Sequence, residues 1–145
     1  MTMQATELFS LCNKVILLGW LLLICLPKWK YTQAIILNGL LVVFAMVYAI
    51  LLFKDISSLS VDSFSTLSKL KLLFQSDDAV AAGWIHYLVF DLFVGAYIVK
   101  KSRQIGLHQL VYTLILPFVF MSGPIGYLLF VLVKFIKTKS LNESI

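Results

Sequence analysis

Four long apolar runs decide what this chain can fold into. They cover 8–29, 33–53, 79–99 and 107–135. Each has about 20 residues or more, the length a helix needs to cross a ~30 Å hydrocarbon core. No water meets the backbone there, so a crossing chain must close its hydrogen bonds within helices. The expected fold is an all-α integral membrane protein, with four transmembrane helices in a bundle. Hydrophobic residues make up 61% of the 145, against roughly 45–50% in a soluble domain. No other segment is long enough for a soluble unit, so 1–145 reads as a single polytopic membrane domain.

The breaks between runs carry their own signals. The first run has its solid core at 15–26 and ends in Pro27-Lys28-Trp29-Lys30, a helix stop with interfacial anchors and not a leader's cleavage site. Lys14 sits inside this run, placed to snorkel to the interface or to pair with an acid. In the second run Asn38 is expected to hydrogen-bond across helices. The connection after it carries Phe64, Leu67, Leu70, Leu73 and Phe74 at helical spacing. That pattern predicts a short amphipathic helix lying in the interface over 63–75. Asp77 or Asp78 caps the third span, and Lys100, Lys101 and Arg103 close it. Pro117 and Gly123-Pro124 interrupt the fourth. A proline frees a carbonyl one turn back, so this span is expected to kink or break beside a polar cavity.

Charge and residue types exclude several functions. The net charge is +5, with 12 Lys and Arg against 7 Asp and Glu. The basic residues flank spans and form no single patch, which argues for lipid as the partner and against nucleic acid. The short connections hold Lys28, Lys30, Lys100, Lys101 and Arg103, and the positive-inside bias turns them to the cytoplasm. Cys12 and Cys25 are about 20 Å apart on one helix, too far to pair. With only His86 and His108 as histidines, no histidine-rich metal site is expected. There is no phosphate-binding glycine loop, CxxC or HExxH, and no cofactor is expected.

The third run holds the chemistry. It reads Gly83-Trp84-Ile85-His86-Tyr87-Leu88-Val89-Phe90-Asp91-Leu92-Phe93-Val94-Gly95. A carboxylate at that depth costs several kcal/mol unless it is paired or neutral, and such residues usually mark function. Asp91 has three ways to be satisfied: an ion pair with Lys14, a hydrogen bond from Tyr87, or a proton of its own. At 100° per residue Asp91 shares a face with Tyr87, Trp84 and Gly95, and His86 lies about 140° away. The two would then line opposite sides of one cavity, with Gly83 and Gly95 admitting a close backbone or ligand. The alternative is that His86 and Asp91 are polar contacts between helices.

This motif, together with Leu116-Pro117, Met121-Ser122-Gly123-Pro124-Ile125-Gly126, Leu8-Phe9-Ser10-Leu11 and Leu26-Pro27, resembles the plant abscisic-acid-deficiency-four proteins and their bacterial relatives. The resemblance covers nearly the whole chain. It implies a role like that of the plant members in making neoxanthin from violaxanthin, an epoxide-to-allenic-alcohol isomerisation that needs an acid and a base. By resemblance the catalytic candidates are His86, Asp91 and Tyr87. The substrate-binding candidates are Trp84, Phe90, Gly83, Gly95, Ser122 and Lys14. Apolar sequence begins by about Leu8, which leaves no room for a plastid transit peptide. The expected location is therefore a bacterial inner membrane, and the expected ligand a carotenoid or other lipid-soluble isoprenoid.

Three functions fit these residues. The first is an isomerase or modifying enzyme for such an isoprenoid. The second is a carotenoid- or lipid-binding or assembly protein without chemistry. The third is a small proton-coupled transporter, for which four spans offer few polar residues unless a homodimer supplies more.

Overall fold

The computed structural model describes residues 4–54 and 60–140. Residues 55–59 of the second connection lie outside the described residues. All regular structure among the described residues is helical.

Helix α1, Ala5–Cys25, opens with a reciprocal Gln4–Glu7 capping box. It stops one residue short of Leu26-Pro27, where the residue before proline is pushed out of helical geometry. Helix α2 runs Thr32–Lys54. Its stretch Ile35–Leu40 is wound as a π-helix, a wider turn that takes up one extra residue. Asn38 falls inside it and is exposed. The interhelical hydrogen bond expected of Asn38 comes instead from Gln33, whose Nε2 donates to the Ala96 carbonyl at 3.1 Å.

A 3-10 turn at Val61–Phe64 and helix α3, Leu67–Leu73, follow. These occupy the stretch expected to form one interfacial helix. Asp62 and Lys69 pair at 2.7 Å across the bend, and Thr66 caps α3 through the Lys69 N–H. Helix α4, Asp77–Gln104, is the longest. It packs against α1, α2 and both helices that come after it. Acidic Asp77 and Asp78 sit in its first turn and basic Lys101 and Arg103 in its last, each favourable to the helix dipole. Lys54 at the end of α2 pairs with Asp78 at 2.7 Å.

The fourth apolar run is not one helix. It forms α5, Gln109–Met121, and α6, Gly123–Thr138, meeting at Ser122. Pro117 stays inside α5. The break falls five residues later, where Ser122 is extended with φ −163° and ψ 92°. Pro124 stands in the first turn of α6, where a missing N–H costs nothing. Among the described residues three helices, α1, α2 and α4, are long and apolar enough to cross a bilayer.

Candidate functional site

The break at Ser122 creates a problem that α4 solves. A helix end leaves carbonyls or N–H groups without intrahelical partners, and lipid offers none. Tyr87 and Asp91, one turn apart on α4, face the break from the side. The Tyr87 hydroxyl lies 2.9 Å from the Met121 carbonyl and 3.3 Å from that of Phe120, the last carbonyls of α5. The Asp91 carboxylate takes the backbone N–H of Gly123, at the start of α6, and is hydrogen-bonded to Tyr87 as well. A carboxylate at a helix N-terminus is also favoured by the helix dipole.

Two glycines make this possible. A Cβ on Gly123 would overlap Asp91 Oδ1, and one on Gly126 would overlap the Val119 backbone of α5. The Gly123-Pro124-Ile125-Gly126 sequence is therefore the complement of Asp91: one residue leaves room for the carboxylate, the other lets α5 and α6 cross closely.

Asp91 is 6% exposed. Its Oδ2 is buried with no hydrogen-bond partner among the described residues. The pairing expected with Lys14 is not formed: Lys14 is exposed, and Asp91 Oδ2 has no hydrogen-bond partner among the described residues. The neighbouring Asn13 instead makes the polar contact to α4, its Oδ1 accepting from Trp84 Nε1 at 2.8 Å. Asn13, Trp84, Tyr87, Phe120 and Met121 line a cavity of about 160 Å³ beside the break. The Trp84 and Tyr87 rings stand 5.4 Å apart, tilted by 37°.

His86 is elsewhere. It lines a second cavity, of about 270 Å³, with Tyr48 of α2, Gly83, and Phe64 and Phe74 from the connection between α2 and α4. Its ring is 5.5 Å from Tyr48 and 4.6 Å from Phe90. A Cβ on Gly83 would come within 2.8 Å of the Phe74 ring, so Phe74 covers that glycine. His86 lines this cavity and Asp91 lines neither of the two, reaching the first only through its hydrogen bond to Tyr87, which corrects the expectation of one shared cavity. Phe90 is exposed beside His86. The space at Gly95 is filled by the Trp20 indole and Leu23, which leaves no opening for a ligand. Ser122 works through its backbone, its N–H bonding the Phe118 carbonyl at 2.8 Å and its C=O taking the Gly126 N–H at 3.0 Å. No cluster of three metal-ligating side chains occurs among the described residues.

The partners that sequence reasoning missed are mostly backbone groups: the Phe120 and Met121 carbonyls and the Gly123 N–H. Their signal was the glycine-proline pair itself, which marks where a helix must restart.

An all-helical membrane protein with a carboxylate buried against a helix break is the class these features define. A family model described as ABA DEFICIENT 4-like matches residues 7–130, and the chain belongs to that family. The matched stretch contains both Tyr87–Asp91 and Gly123–Gly126. Comparison with curated proteins and with solved structures gives no match.

Proposed function

We propose that this protein is a multi-pass enzyme of a bacterial inner membrane that isomerises or otherwise modifies a carotenoid or another long isoprenoid. In this reading α5 and α6 together make a fourth crossing, and Tyr87 and Asp91 are the reacting pair. One observation carries it: Asp91 has a buried, unpartnered Oδ2 and is hydrogen-bonded to Tyr87, whose ring lines an aromatic cavity. Opening an epoxide to an unsaturated alcohol needs one proton given to oxygen and one removed from carbon. A protonated Asp91 donates the first, and the resulting carboxylate accepts the second, so the enzyme returns to its starting state. Tyr87 holds the carboxyl in place and shares its proton. General acid–base help of this kind is worth about 10²–10⁴-fold in rate. His86 belongs to the other cavity, so its part is to hold an apolar end of the substrate.

The test is expression in carotenoid-making bacteria supplied with several pathway backgrounds. A new pigment is expected with the wild type and none with Asp91→Asn, with the variant shown to be folded in membranes. Identical pigment profiles with and without the wild-type gene in every background would sink the enzyme.

A second reading has its own support. Tyr87 and Asp91 satisfy the broken helix, a task that accounts for both without any reaction. Under that reading the protein binds or carries the isoprenoid, and an unmodified pigment co-purifies in mild detergent with no turnover.

A further inference from the structure

At the end of the molecule away from both cavities, the α4–α5 connection forms an open groove of about 610 Å³. We infer that this groove is a binding site for a phosphate ester, the head group of an anionic phospholipid. The site is independent of the proposed reaction.

Its cationic and donor groups come from three elements. Lys28 follows α1, Arg103 ends α4, and His108 caps α5. Arg103 is anchored by one bond, from Nη1 to the Pro27 carbonyl at 3.0 Å. A guanidinium has five donor hydrogens in a fork suited to phosphate, so this bond fixes its position and leaves others to bind. His108 Nδ1 accepts the Leu110 N–H at 3.3 Å, which keeps its proton on Nε2, available as a donor. The N-terminus of α5 adds its positive dipole end.

The floor of the groove supplies an independent sign of a ligand. Tyr112 lines it and is 1% exposed, yet its hydroxyl has no hydrogen-bond partner among the described residues. Burying a hydroxyl without a partner is costly. Arg103 lines the same groove as Tyr112, so a phosphate oxygen held by Arg103 is offered this hydroxyl as a donor.

The depth of the groove favours a lipid over a free anion. Trp29 and Tyr31, adjoining Lys28, stack edge to face at 5.4 Å, and Lys30 lies 4.7 Å over the Tyr31 ring. Such amphipathic rings sit at head-group level, and basic pockets between membrane helices at that level bind acidic head groups.

The experiment uses the whole protein in nanodiscs of phosphatidylcholine with and without 20–30% phosphatidylglycerol (about the anionic share needed to test preference). Lipids retained on extraction are counted by native mass spectrometry, and inorganic phosphate is run as a separate competitor. Wild type is expected to retain phosphatidylglycerol selectively. Lys28→Gln with Arg103→Gln should lose that selectivity. Tyr112→Phe should weaken it about tenfold, the loss of one hydrogen bond to a charged group. Tyr112→Phe also keeps the test sound, because removing an unpartnered hydroxyl leaves folding intact or improves it. If inorganic phosphate displaces the lipid at millimolar levels, the phosphate site stands and accepts the free anion too. Equal retention of the two lipids by wild type, or undiminished selectivity in Tyr112→Phe and the double variant, overturns the inference.

Discussion

Tyr87–Asp91 and His86 lie within about a turn and a half of each other on α4, yet they do opposite kinds of work. Asp91 is buried and tied to main-chain ends; His86 is exposed, among aromatic rings, in a cavity lined partly by the connection between α2 and α4. The difference teaches where polarity inside an apolar span goes. On the side facing the broken helix it closes backbone hydrogen bonds that lipid cannot supply. On the side facing α2 it leaves an imidazole in a cavity walled mainly by apolar and aromatic side chains, with Ser76 and Asp78 also in its lining. The first is expected to govern folding, and the second ligand occupancy.

Breaking that contrast starts with the glycines. Gly126→Ala places a methyl in the Val119 backbone, which cannot give way, and should cost about 3 kcal/mol in thermal unfolding in detergent. Gly123→Ala meets only the Asp91 side chain and should cost less, about 2 kcal/mol. Equal, small effects from both would mean that α5 and α6 do not meet as described.

Next is Asp91 itself. Asp91→Ala orphans the Gly123 N–H and should destabilise by about 2 kcal/mol, whereas Asp91→Asn keeps an acceptor and should cost about half as much. Identical losses would show that charge, and not hydrogen bonding, holds the junction. Tyr87→Phe removes the donor to Met121 and should lower stability by about 1 kcal/mol. His86→Ala sharpens the comparison from the other side. Its effect on unfolding should stay within ~0.5 kcal/mol, as for exposed positions generally, while the amount of co-purified apolar ligand falls. A large stability loss there would erase the distinction.

The smallest effect concerns the connection between α2 and α4. The Lys69 ammonium, with help from Ser65, holds the exposed Asp62 carboxyl below its ordinary range. A lowered carboxylate stabilises above its unfolded pKa, and that contribution is lost as pH falls through the lowered value. Amide exchange in Leu67–Leu73 should therefore quicken only below about pH 4, and Asp62→Asn should abolish the step.

Much of this was legible in the residues. Long apolar runs fixed helices, because nothing else closes its own hydrogen bonds in lipid. Asp91 stood out by its cost. The Gly123-Pro124 pair located the restart of the helix, although Pro117, the stronger breaker by reputation, stays within α5. What was not legible depends on rotation and long-range packing. Lys14 and Asn13 are neighbours in sequence, and only the roll of α1 turns Asn13 to Trp84 and Lys14 outward. Gly95 read as an opening, but a tryptophan from another helix fills it. The angle between His86 and Asp91 was readable from helix geometry. That His86 faces a cavity of its own depends on Phe74, contributed from outside the span, while Asp91 is packed against the helix break.

The π-wound stretch Ile35–Leu40 acts as a phase shifter. One surplus residue advances everything after it by about 100°, so the direction in which the rest of α2 points is set here. Tyr48 meets His86 at 5.5 Å because of that offset. Removing a single residue within 35–40 would let the helix rewind as α and swing Tyr48 out of the cavity. The composition of that wall is thus encoded in a count of residues some two to three turns away.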